Sequence, residues 1–72
     1  NNGVEIVIQG LKPGTTYTFI GWARVADPNT HILLGVKEYG GKEFNVPISS
    51  KEWSVAAIPF TPDANGSVKA YA

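Results

Sequence analysis

Between Tyr17 and Val25 the chain alternates without a break. Tyr17, Phe19, Gly21, Ala23 and Val25 fall on one parity, and Thr18, Ile20, Trp22 and Arg24 on the other. A β-strand sends successive side chains to opposite faces, so this stretch reads as an extended strand with one apolar face and one face mixing bulk with charge. The apolar set is expected to face a core. The same pattern returns where Ile32, Leu34 and Val36 alternate with Leu33, Gly35, Lys37 and Tyr39, and again in the apolar row Ala56, Ile58 and Phe60. Turn-forming clusters separate these segments at short intervals, which predicts strands near 4–9, 16–25, 32–39, 43–48, 53–60 and 67–72 and no helix. The fold class is therefore all-β, an antiparallel β-sandwich of about six strands.

The turns have their own chemistry. Leu11-Lys12-Pro13-Gly14 suits a type II turn, because proline presets φ at the second position and glycine accepts positive φ at the third. Asp27-Pro28-Asn29 reads as a loop, Gly40-Gly41 as a tight reversal and Asn65-Gly66 as a type I′ hairpin turn. Pro47 and Pro59 lack an amide donor and belong on edges or at bulges. If the strands at 16–25 and 32–39 form a hairpin with Val25 opposite Ile32, their apolar faces coincide. Trp22 then lies opposite Gly35, Ile20 opposite Lys37 and Thr18 opposite Tyr39, and the mixed face gathers Trp22, Arg24, Lys37 and Tyr39.

Bulk properties narrow the function. A chain of 72 residues holds at most one core, so 1–72 is a single sandwich domain or a fragment of a larger one. It has no cysteine, which removes disulfide staples, thiolate metal sites and a cysteine nucleophile. Net charge is zero and the basic residues Lys12, Arg24, Lys37, Lys42, Lys51 and Lys69 are dispersed. Phosphate-backbone affinity needs clustered cations, so nucleic acid is not an expected partner. No apolar run approaches the roughly 18 residues of a membrane span, so no membrane partner is expected either. The opening at Asn1, without methionine, reads as processed or cut from something larger.

Three blocks carry a family resemblance. Gly10-Leu11-Lys12-Pro13-Gly14-Thr15-Thr16-Tyr17-Thr18-Phe19 followed by Trp22-Ala23-Arg24-Val25 is the first, and Leu34-Gly35-Val36-Lys37-Glu38-Tyr39-Gly40-Gly41 is the second. Trp53, Ala56, Ile58, Phe60 and Thr61 are the third. Together they resemble the bacterial jelly-roll carbohydrate-binding modules attached to polysaccharide-degrading enzymes. The resemblance implies a jelly-roll-like fold and non-catalytic binding of a glycan or polysaccharide, in a secreted or cell-surface setting. A jelly roll has about eight strands where six are counted here. Strands missing from a sandwich leave edges unpaired, so pairing with another copy or a companion fragment is expected. The family's calcium site is not carried over, and no cofactor is implied.

Sugar-binding proteins present flat aromatic faces to the C–H face of a pyranose, with a few polar groups fixing the hydroxyls. Trp22 and Tyr39 are the candidate stacking residues, and Arg24 and Lys37 the candidate polar contacts. The plainer alternative buries Trp22 under a loop or a missing strand and leaves the two cations as solvated charges. Trp53 is read mainly as packing at a sandwich corner, with binding in reserve. His31, the one histidine, has only Asp27 nearby in sequence and lacks the partners that a metal site or general base requires. Glu5, Asp27, Glu38, Glu43, Glu52 and Asp63 offer no distinguishable glycosidase pair. Ser49, Ser50, Ser54 and Ser67 lack a nucleophile context. Asn65-Gly66-Ser67 matches a glycosylation pattern but reads more simply as a turn. The chain is not expected to be an enzyme; a structural or protein-interaction sandwich is the alternative function.

Overall fold

The computed structural model describes residues 3–72. Among them are six strands and no helix: β1 (Glu5–Ile8), β2 (Tyr17–Ala23), β3 (Ile32–Lys37), β4 (Phe44–Ile48), β5 (Ser54–Phe60) and β6 (Val68–Tyr71). They form two antiparallel sheets, one ordered β1-β6-β3-β4 and the other containing only β2 and β5. The molecule is a β-sandwich of unequal halves.

Alternation along the strands holds as read. In β2 every odd position from Tyr17 to Ala23 turns away from solvent and every even one is exposed. In β3, Leu34 and Val36 are buried, and in β5, Ala56, Ile58 and Phe60 are buried. These inward rows meet in two adjoining clusters. Val36, Tyr39, Ile58, Phe60 and Val68 form one, and Ala23, Leu34, Ile48 and Ala56 the other. Phe19 and Val46 pack against both, joining the clusters into a continuous interior. Tyr17 stacks on Phe60 and Tyr39 meets the same ring edge-on, at centroid distances of 6.0 and 5.5 Å.

The expected hairpin between β2 and β3 does not form. β2 pairs with β5, so Trp22 lies opposite Val55 and Ile20 opposite Ala57. β3 pairs with β4 and β6 in the other sheet, so Gly35 lies opposite Asn45 and Tyr71 rather than Trp22. The segment 24–31 therefore crosses between sheets. Both proline expectations hold, since Pro47 sits on β4 and Pro59 on β5, each at the edge of its sheet.

Two turns show why local chemistry succeeded in one case and failed in another. Gly14 has φ of 77°, and the Thr15 amide donates to the Lys12 carbonyl at 3.2 Å, so the Pro-Gly turn expected over 11–14 closes over 12–15, with proline second and glycine third. Gly66 also has positive φ, at 61°, but Asn65 does not, so Asn65-Gly66 is not a type I′ turn. The Asp63 carboxylate accepts from the Asn65 amide and the Asp63 carbonyl from the Gly66 amide. This builds a turn starting at Asp63, and it links β5 to a strand of the opposite sheet.

The size mismatch leaves part of the large sheet uncovered. Ile6 pairs with Ala70 and Ile8 with Val68, so they share the inward face of those buried residues. Both nevertheless remain exposed, because β1 overhangs a second sheet only two strands wide.

Candidate functional site

The outward face of the β2–β5 sheet is assembled from the polar parity of β2 and its counterpart on β5. Register sets Thr18 against Pro59, Ile20 against Ala57 and Trp22 against Val55. Trp53 precedes β5 with the parity of Val55, so it lies diagonal to Trp22, where Cβ atoms are typically about 7–8 Å apart. Trp22 is 65 % exposed and Trp53 61 %. Indoles of this size are normally well buried, and two adjacent exposed ones on one sheet face form an aromatic platform.

Arg24 continues β2 on the same face. Its guanidinium carbon lies 4.9 Å from the centre of the Trp53 ring, a cation–π contact that steadies both side chains. Below it the chain is held by the Val25 amide donating to the Ser50 carbonyl at 2.9 Å. The turn leading to Trp53 is fixed by the Glu52 amide on the Ser50 hydroxyl and the Ser54 hydroxyl on the Glu52 carbonyl. Arg24, Val25, Ala26 and Lys51 line an open hollow of about 480 Å³ beside the platform.

The four residues proposed from sequence are not brought together. Trp22 and Arg24 share the small sheet's outer face, but Lys37 and Tyr39 belong elsewhere. Lys37 lies on the outer face of the large sheet, 2.9 Å from the Glu5 carboxylate and 5.0 Å from the centre of the Tyr71 ring. That hydrogen bond holds the Glu5 carboxyl below its ordinary range and raises the Lys37 ammonium above its own. Tyr39 is only 6 % exposed and belongs to the core. The alternation that placed it outward ends at Lys37, because Glu38 adopts φ of 57° and swings the next side chain inward. Its hydroxyl donates to the Lys42 carbonyl. Trp53, read mainly as packing, is the platform residue that sequence reasoning undervalued; its one available signal was its parity with Val55.

The large sheet's outer face carries its own polar cluster. Tyr71 lies across Gly35, where an added Cβ would stand 2.5 Å from the Tyr71 ring. Its hydroxyl donates to Glu43 and accepts from Asn45, and burial followed by the Glu43 contact raises its pKa. Of the six Asp and Glu carboxylates, all but Glu52 have structural partners among the described residues. Glu5 and Glu38 pair with lysines, Glu43 takes the Tyr71 hydroxyl, and Asp27 and Asp63 accept backbone amides. Among the described residues no group of three or more His, Cys, Asp or Glu side chains gathers in metal-binding proximity.

No family model and no solved structure matches the chain. It is similar, with 36 % identity over 64 residues, to a stretch of keratan-sulfate endo-1,4-beta-galactosidase from Sphingobacterium multivorum. The match takes in 89 % of this chain and 15 % of that protein, so the chain spans a small part of the relative's length. The similarity ties the chain to a carbohydrate-active protein.

Proposed function

We propose that the chain is a non-catalytic glycan-binding module that stacks sugar rings on Trp22 and Trp53 across the outer face of the β2–β5 sheet. The observation that carries this reading is two tryptophans, each more than half exposed, diagonal to one another on one outer sheet face. A flat indole pair matches the apolar C–H face of a pyranose, and a two-stranded platform suits an extended polymer rather than a small molecule held in a deep pocket. The neighbouring Arg24 supplies donors for polar contacts. The relative supports a carbohydrate role, since it is a keratan-sulfate endo-1,4-beta-galactosidase. Outside the cell, such a module keeps an attached enzyme near its polymer by raising effective concentration.

The test is tryptophan fluorescence during titration with soluble polysaccharides. Binding shifts the emission of exposed indoles to the blue, and Trp22→Ala or Trp53→Ala weakens binding at least about tenfold while far-ultraviolet circular dichroism stays unchanged. If no glycan in a broad panel alters the emission, the apolar face serves instead as a contact for a neighbouring protein domain.

A further inference from the structure

We infer, resting on the glycan reading above, that this face selects sulfated glycans, with Arg24 and Lys51 receiving the sulfate ester. Charge is partitioned between the two sheets. The ion pairs Lys37–Glu5, Lys69–Glu5 and Lys69–Glu38 all lie on the large sheet. On the small sheet the outward residues are Thr18, Ile20, Trp22, Arg24, Trp53, Val55, Ala57 and Pro59, of which only Arg24 is charged. A chain of zero net charge thus places an unpaired cation against its aromatic platform, at the Trp53 end.

Arg24 is held there without using its donors. Among the described residues its contact is the Trp53 ring, and no ion pair or hydrogen bond engages its guanidinium. Stacking through the ring face leaves the N–H groups free for an anion. Lys51 stands across the same open hollow, and it too has no ion pair among the described residues. The nearest acids in sequence do not neutralise either cation. Asp27 accepts the Asn29 amide, and Glu52 pairs with neither Arg24 nor Lys51.

Geometry favours sulfate over carboxylate. A carboxylate presents its acceptor sites in one plane, which a single guanidinium fork matches, whereas the three terminal oxygens of a sulfate ester point out of any one plane and accept donors converging from different directions. Here the donors come from two separate segments, Arg24 following β2 and Lys51 preceding β5. Desolvation beside two indoles strengthens the attraction further.

The experiment compares keratan sulfate with a chemically desulfated preparation of the same material, and with polygalacturonate, by tryptophan fluorescence and calorimetry at low and high salt. The expected result is binding of the sulfated polymer about ten- to a hundredfold more tightly than the desulfated one, with the difference shrinking as salt rises. Arg24→Gln and Lys51→Gln each reduce affinity for the sulfated polymer; Lys51→Gln leaves that for the desulfated polymer unchanged, and Arg24→Gln lowers it less than it lowers that for the sulfated one. Equal affinity for both forms would overturn the sulfate assignment while leaving the glycan reading intact. Polygalacturonate binding as tightly as the sulfated polymer would also overturn it, in favour of charge without sulfate geometry. Binding of none of the three would overturn the glycan reading itself.

Discussion

Ile58 and Ile20 share a side chain and a sheet but not a face, and truncating each to alanine separates what holds the sandwich together from what is left for a ligand. Ile58 is 4 % exposed and packs among Val36, Tyr39, Phe60 and Val68, so Ile58→Ala removes three methyl-sized groups from a filled interior. Lost burial plus the cavity left behind costs about 2–5 kcal/mol. Ile20 is 59 % exposed on the outer face, and truncation there is expected to stay within about 0.5 kcal/mol. In a domain of this size each kcal/mol moves the melting temperature by roughly 4–8 °C. Thermal melts followed by circular dichroism should therefore show a fall of about 8–40 °C for Ile58→Ala and only a few degrees for Ile20→Ala. Where Ile58→Ala does not fold, Ile58→Val gives a milder loss of about 0.5–1.5 kcal/mol in urea denaturation. Equal losses at the two positions, or a larger one at Ile20, would refute the assignment of faces.

Two further perturbations probe the large sheet. Gly35→Ala places a methyl 2.5 Å from the Tyr71 ring and 2.7 Å from the Phe44 carbonyl oxygen; the ring can swing away but the backbone cannot, so a loss of about 1–3 kcal/mol is expected in denaturant titrations, with glycan binding retained. Stability should form a plateau between about pH 5 and 9. On the acid side, Lys37 lowers the Glu5 pKa, so the stabilisation is complete above the ordinary glutamate range and is lost as pH falls through the lowered value. On the alkaline side, Lys37 and Tyr71 have raised pKa values, so theirs is complete below their ordinary ranges and is lost as pH rises through the raised ones. Glu5→Gln should flatten the acid limb, measured as melting temperature against pH.

The strands and their faces were readable because side-chain period is a local property of extended backbone. The pairing of strands was not. Inward rows on β2 and β3 look the same whether the two strands lie side by side in one sheet or face each other across the core, and here they face each other. That degeneracy joined Lys37 to Trp22 in a site that the fold divides between two sheets. Tyr39 was misplaced by a single backbone event at Glu38, whose positive φ no alternation pattern contains. At Asn65-Gly66 the dipeptide suggested one turn, but Asp63, two residues upstream, selected another by accepting the Asn65 amide. At Trp53 the spacing and the place at a strand entrance suggest packing at a sandwich corner; with only two strands in its sheet and its outer face open, it stays exposed.

The claim on which the functional reading rests is that a sugar polymer lies on Trp22 and Trp53. Residue-resolved nuclear magnetic resonance during titration with keratan sulfate fragments addresses it directly. Shifts are expected at both indole N–H groups, at Arg24 and at the outward Ile20 and Val55, with the inward Ala56 and Ile58 unmoved. Shifts centred on Tyr71 and Lys37 of the large sheet, with both indoles silent, would contradict it.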